Sequence, residues 1–224
     1  SARRFVSRTR VRALAILGGT FDPVHLGHLR AAWEAAEFLG AEVRLIPASV
    51  PPHRPQPVAS ASQRMAMLRA ALKGQDRLQL DDRELRRSGP SFSVDTLQEF
   101  RSECGPQRPL VLLLGVDAFA GLPAWHCWQA LFELAHIGVL TRPGHSPVFT
   151  DALQREVQAR RIDSVETIAA TPAGHIIDIA VSALEISATH IRSELAAGRE
   201  PRYLVADALL NDAALLAPYR NGST

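Results

Sequence analysis

His25 and His28 stand three residues apart at the end of the run Gly18-Gly19-Thr20-Phe21-Asp22-Pro23-Val24-His25-Leu26-Gly27-His28. Side chains three apart on one helical turn point the same way, so the spacing puts two imidazoles on one face. Paired glycines let a ligand approach the backbone closely. A helix that starts here offers unpaired N–H groups and a partial positive charge, which suits phosphate. The chemistry predicted is a cradle for a polyphosphate. A dinucleotide-binding dehydrogenase would need G-x-G-x-x-G after its first strand, and this turn has no such spacing. A zinc site would need a Cys or carboxylate partner at ligand spacing, and none follows. A structural turn carrying two surface histidines is the remaining rival.

Two further groups have a legible chemistry. In Ile186-Ser187-Ala188-Thr189-His190-Ile191-Arg192, Ser187 and Thr189 can cap a helix that begins there. Its amides and the Arg192 guanidinium can then hold an anion. Asp117 follows the apolar run Leu110-Val111-Leu112-Leu113-Leu114. A carboxylate at the carboxyl end of a central parallel strand is placed to accept ribose hydroxyls, or it caps the next helix.

The elements that must position these groups alternate strand and helix, which predicts a parallel α/β sheet with right-handed crossovers. Strands are expected at 13–18, 42–48, 78–86, 110–114, 137–140 and 176–179. The first helix is expected at 26–39, where Leu29, Ala32, Trp33, Ala36 and Leu39 recur at helical spacing before Gly40. A second is expected at 61–73 with Met65, Leu68 and Leu72 inward, a third from an N-cap at Ser93, and another at 151–160. Pro51, Pro52, Pro55 and Pro57 make 49–60 an extended loop. Trp128, among Leu122, Leu131 and Leu134, reads as core. Residues 201–216 read as a closing helix with Leu204, Ala208 and Leu215 inward.

The 224 residues, 46% hydrophobic, can bury one sizeable core, and a net charge of +2 gives no field that calls for nucleic acid. Residues 1–12 carry Arg3, Arg4, Arg8, Arg10 and Arg12 without an acid, and read as a disordered basic leader ahead of a single domain at 13–216 and a tail at 217–224. The leader lacks the apolar stretch of a signal peptide, and no run approaches membrane-spanning length. Cys104 and Cys127 alone do not make a disulfide framework, and a reducing cytoplasm fits.

The run Gly18 to His28 resembles the nucleotidylyltransferase signature GGxFDPxHxGH. Its HxGH core is shared with class I aminoacyl-tRNA synthetases, but the chain has no KMSKS-like loop and is too short for an anticodon domain. With the later motifs, in order over about residues 13–210, the chain is similar to the bacterial nicotinate-mononucleotide adenylyltransferase family. Pro51-Pro52-His53-Arg54 is similar to the family's PPHK, with Arg54 as a basic lid over substrate phosphate. Ser91-Phe92-Ser93-Val94-Asp95-Thr96-Leu97 is similar to SYTxDTL, with Phe92 for Tyr and Ser93 for Thr. Arg142-Pro143-Gly144 is similar to RPG, and Ile186 to Arg192 to ISSTxIR with Ala188 for a Ser.

The resemblance implies a Rossmann-like parallel sheet with helices on both faces and a small helical C-terminal portion. It implies that ATP and nicotinate mononucleotide give deamido-NAD and pyrophosphate, with Mg²⁺ carried by ATP. ATP would be held by Gly18, Gly19, Thr20, Phe21, His25, His28, Ser187, Thr189 and Arg192, of which His25, His28 and Arg192 serve catalysis. The mononucleotide would meet Arg54, Ser93, Asp117, Trp125 and Arg142. Trp125 lies at the family's spacing from Asp117 for the ring that stacks on nicotinate, and the loop at Ser93 would offer amides to its carboxylate. Trp125 and the SFSVDTL loop argue against a pantetheine-phosphate adenylyltransferase or a cytidylyltransferase. Intact His25, His28 and Arg192 argue against a nucleotide-binding module without turnover.

Overall fold

A computed structural model describes residues 12–49, 56–144 and 147–220. Six parallel strands run β1 (Leu14–Gly19), β2 (Glu42–Pro47), β3 (Leu78–Leu80), β4 (Leu110–Gly115), β5 (His136–Thr141) and β6 (Ile176–Ala180), in the spatial order β3-β2-β1-β4-β5-β6. The strand order reverses between β1 and β4, and in open sheets of this kind ligands bind at the carboxyl ends of the strands where it does.

The sheet is covered on both faces because its strands are apolar on both faces. Ala15 and Leu17 of β1 and Val111 and Leu113 of β4 join one core. Leu14 and Ile16, with Leu110, Leu112 and Leu114, join the other. The first core is closed by α1 (Leu26–Leu39) and α2 (Ala61–Ala71), the second by α4 (Ser93–Cys104). The short α3 (Arg83–Arg86) lies between α2 and α4; α5 (Val116–Ala120) and α6 (Leu131–Leu134) follow β4, and α7 (Asp151–Arg160) and α8 (Val165–Ala170) join β5 to β6. The chain closes with α9 (Ala188–Ala196), α10 (Asp207–Leu210) and α11 (Ala217–Arg220). No helix among the described residues is long and apolar enough to cross a membrane.

Several expectations need correction. The third strand stops at Leu80, because the Asp81 carboxylate accepts from the backbone N–H of Arg83 at 3.1 Å and from its guanidinium at 2.9 Å, turning the chain into α3. On α2 the buried positions are Arg64, Met67 and Leu68, while Met65 is only half-buried. Ser93 is the first residue of α4, and Phe92 takes the N-cap position without a side-chain hydrogen bond. The closing segment is turns and short helices, with Val205, Leu209, Leu216 and Tyr219 buried, rather than one helix. Its short helices pack on different elements, α10 on α2 and α11 on α9, so no single helical stripe serves. Arg12, expected within the leader, is tied to the domain: its guanidinium donates to Gly40 O at 3.1 Å and Ala41 O at 3.2 Å. Arg54 lies outside the described residues.

Candidate active site

The carboxyl ends of β1 and β4 open onto a cavity of about 560 Å³. Gly18, Gly19 and Thr20 line one side, Gly115 and Asp117 another, and Ser91, Phe92, Ser93, Trp125 and His126 a third. Six of the predicted residues for two different ligands, Gly18, Gly19, Thr20, Ser93, Asp117 and Trp125, therefore face one space. Asp117 stands in the first turn of α5, behind an N-cap at Gly115, so it is not itself the cap.

The histidines stand beside this cavity, at the start of α1. His25 is the N-cap, with extended backbone, and His28 lies in the first turn. Their rings stack at 3.6 Å between centroids and 25° between planes. Gly27 makes this possible: a Cβ there would sit 3.0 Å from His25 Nδ1 and Cε1. The backbone N–H of His25 donates to His28 Nδ1 at 3.3 Å. Neutral His28 therefore carries its proton on Nε2. Burial, and then the Arg142 charge, lowers the pKa of His25 to about 4. Burial, and then His25, lowers that of His28 to about 3. Both rings are neutral donors near pH 7, and His25 Nδ1 is buried with no hydrogen-bond partner among the described residues.

Phe21 stands within the signature with its side chain turned inward. Its ring is 1% exposed and packs edge-on against His28 at 5.0 Å, so it shapes the floor and offers a ligand only backbone. Gly19 is required by that ring, since a Cβ there would meet Phe21 Cζ at 2.9 Å.

Arg192 comes from α9, far away in sequence. Its Nη1 donates to Asp22 O at 2.8 Å and its Nη2 to Thr189 Oγ1 at 3.2 Å. The tether leaves its remaining N–H groups for an anion. Ser187 is the N-cap of α9, accepting from His190 N at 3.1 Å, so Thr189 orients Arg192 instead of capping. Arg142 is exposed beyond β5, close enough to His25 to influence its protonation.

Beneath these groups lies a buried network that the sequence did not reveal. The Asp22 carboxylate accepts from Val58 N at 2.8 Å, Ala59 N at 3.0 Å and the Tyr219 hydroxyl at 2.7 Å. Buried Arg64 donates from Nη1 to Thr20 O at 2.8 Å. Glu84, Ser91 and His126 are the other unexpected lining residues. Phe92 and His126 meet ring to ring at 4.6 Å, a contact signalled only by their adjacency to Ser93 and Trp125. Trp128 is half-buried and packs against the second core, edge-on to Phe132 at 6.2 Å.

The chain is similar to known proteins in sequence and in fold. The cytidylyltransferase-like family profile matches residues 16–194. A Pseudomonas putida (strain W619) protein named "Probable nicotinate-nucleotide adenylyltransferase" is 49% identical over 201 residues, covering 89% of this chain and 91% of the relative. One of the same name from Chromohalobacter salexigens is 46% identical over 208 residues, covering 92% and 95%. The solved Plasmodium falciparum nicotinic acid mononucleotide adenylyltransferase complexed with NaAD superposes with a TM-score of 0.66 at 15% identity, covering 89% of this chain and 95% of that one, and shares the fold.

Proposed function

The chain belongs to the cytidylyltransferase-like family and, within it, to the nicotinate-nucleotide adenylyltransferases, and from this premise we propose how its residues join ATP to nicotinate mononucleotide. An oxygen of the mononucleotide phosphate attacks the α-phosphorus of ATP in line. A new P–O–P bridge forms, the bond from the α-phosphorus to the β-bridging oxygen breaks, and pyrophosphate leaves with the electron pair. The products are deamido-NAD and pyrophosphate. Such a transfer needs positioning and charge neutralisation more than a protein nucleophile.

The observation that carries this reading is the meeting of two constellations at Gly18–Asp22: a cavity of about 560 Å³ lined in part by Trp125, and a donor cluster of His25, His28 and Arg192. Gly18, Gly19 and Thr20 let the triphosphate approach the backbone. His28 Nε2–H and the neutral His25 ring donate to oxygens where charge grows as pyrophosphate departs. Arg192, tethered at Asp22 O and Thr189, holds the same phosphates. Arg142 supplies a cation at the phosphates of either substrate, and Asp117 accepts ribose hydroxyls. Trp125 stacks on the pyridine ring, and the turn into α4 at Ser93 gives amides to its carboxylate.

Among the described residues no three His, Cys, Asp or Glu side chains gather as a metal cage. Mg²⁺ would enter on the triphosphate, as part of the substrate, and offset its charge. Cys104 and Cys127 are free thiols, which supports a reducing, cytoplasmic setting. The domain runs from Arg12, packed on α1's end, through Tyr219. Incubation with ATP, Mg²⁺ and nicotinate mononucleotide, followed by mass analysis, tests the reading. Deamido-NAD with an equal amount of pyrophosphate is expected, and ADP or no dinucleotide would refute it.

A further inference from the structure

Arg64 is a charge buried where packing alone would place an apolar side chain. It stands on α2 beside Met67 and Leu68, is 1% exposed, and is among the largest side chains that the fold buries completely. Its Nη1 donates to Thr20 O at 2.8 Å, while its Nε has no partner among the described residues. The carboxylate whose charge it feels, Asp22, is occupied by Val58 N, Ala59 N and the Tyr219 hydroxyl. Replacing buried charges by apolar groups of like volume is often neutral or stabilising, so stability does not account for a guanidinium here. A buried polar atom without a partner is uncommon and calls for a reason. The bond to Thr20 O supplies one.

Thr20 O belongs to the peptide that leads into Phe21, whose φ of 51° is a left-handed conformation uncommon for an aromatic residue. Such outliers cluster where ligands are held, and they persist only where their surroundings fix them. Two contacts fix this one. The Phe21 ring packs edge-on against His28 at 5.0 Å, and the carbonyl before it is captured by Arg64. A trans peptide carries its C=O and N–H on opposite sides. With the carbonyl turned to Arg64, the Phe21 N–H is turned away from α2, at the turn where Thr20 borders the cavity. Among the described residues that N–H donates to no backbone carbonyl. We infer that Arg64 is a positioning residue for the triphosphate of ATP: by holding Thr20 O it aims the Phe21 N–H at a phosphate oxygen. The same bond polarises the peptide, since a charged donor on its oxygen strengthens its N–H as a donor in turn. The guanidinium thus acts on the phosphates through one peptide unit while staying out of water. This rests on the adenylyl-transfer reading above.

The test compares wild type, Arg64→Met, Arg64→Lys and Met67→Ala in thermal melts and in initial rates with each substrate varied. Methionine keeps the packing and removes the donor. Lysine keeps a donor, and a carbonyl oxygen, unlike a carboxylate, needs no bidentate fork. Met67→Ala opens a cavity on the same buried face of α2 and so reports what loosening that helix does by itself. Arg64→Met should raise KM for ATP about ten- to hundredfold, as for a donor lost to a charged acceptor, with KM for the mononucleotide close to wild type. Arg64→Lys should recover most of that loss. Met67→Ala should lower the melting temperature and leave KM for ATP unchanged. A second readout needs no folded Arg64→Met. In wild type carrying isotope-labelled phenylalanine, the Phe21 amide signal, identified by its loss in Phe21→Tyr, should shift when Mg²⁺ and an ATP analogue with a methylene bridge between the α- and β-phosphorus are added. Four results overturn the role of Arg64 alone: a Phe21 signal unmoved at saturating analogue, an unchanged KM for ATP in Arg64→Met, an equal rise in Met67→Ala, or a lysine variant no better than the methionine one. Wild-type protein that makes neither dinucleotide overturns the function and this inference together.

Discussion

Removing one hydroxyl at the far end of the chain should weaken the phosphate site at its beginning. Tyr219 is 3% exposed, and its hydroxyl donates to Asp22 Oδ1 at 2.7 Å. Burial, and then the Asp22 carboxylate, raise its pKa far above the usual phenol value, so it remains a donor throughout the working range. A hydrogen bond to a charged group contributes about 1.5–3 kcal/mol. Tyr219→Phe leaves the carboxylate its two amide donors, Val58 and Ala59, so the low end applies, about 1.5–2 kcal/mol. For a chain of this length that corresponds to a melting temperature lower by roughly 3–8 °C. The same residue's carbonyl, Asp22 O, receives Arg192 at 2.8 Å. A looser Asp22 therefore frees Arg192 from its tether, and KM for ATP should rise by about threefold to tenfold, an energy of the order of 1 kcal/mol. The mononucleotide KM should move less. The assay is a thermal melt beside initial rates at varied ATP. An unchanged melt would refute the hydrogen bond as a brace, and a lowered melt with unchanged KM for ATP would refute its link to Arg192.

Three other outcomes follow from the geometry. His25→Ala and His28→Ala should each lower kcat by about 10²–10³ with the fold retained, as expected for one preorganised donor to developing charge; near-normal turnover in both would make the histidines bystanders. Trp125→Ala should raise the mononucleotide KM about 5- to 150-fold, from about 1–3 kcal/mol of stacking, with KM for ATP little changed, whereas Trp128→Ala, half-buried, should cost less than the ~3–5 kcal/mol of a fully buried ring and leave KM alone; the reverse pattern would exchange their roles. Acid should destabilise the protein through its histidines: His25, His28 and His136 have folded pKa values of about 4, 3 and 4, below the unfolded 6.5, so the unfolded chain alone takes up these protons as pH falls from 6.5 toward 4, at roughly 1.4 kcal/mol per histidine per pH unit. Urea midpoints at pH 7 and 5 should show that loss, and a His136→Gln variant with the same pH slope as wild type would contradict it.

The parts of this molecule readable from sequence are those where local pattern and final role coincide. Leu110 to Leu114 is apolar on both faces because both faces of β4 are covered, and Gly40 ends α1 in a left-handed conformation that glycine adopts freely. The glycines and histidines from Gly18 to His28 are constrained by one another over a few residues, so their spacing carries the site. Tertiary partners decide the rest. Leu78 to Arg86 reads as a strand until the Asp81–Arg83 ion pair bends it. Phe21 sits within the signature yet serves the core. Residues 201–216 are rich in Leu and Ala, but they form short pieces, of which α10 packs on α2. No local pattern could join Tyr219 to Asp22, which lies 197 residues earlier.

The most direct measurement is a competition in one tube: equal concentrations of nicotinate and nicotinamide mononucleotides, limiting enzyme, ATP and Mg²⁺, with both dinucleotides quantified by mass at early times. Their ratio reads the relative kcat/KM for the two rings at a single site. Deamido-NAD in clear excess over NAD is the result that a carboxylate-reading pocket beside a phosphate cradle predicts. Equal amounts, or an excess of NAD, would contradict it.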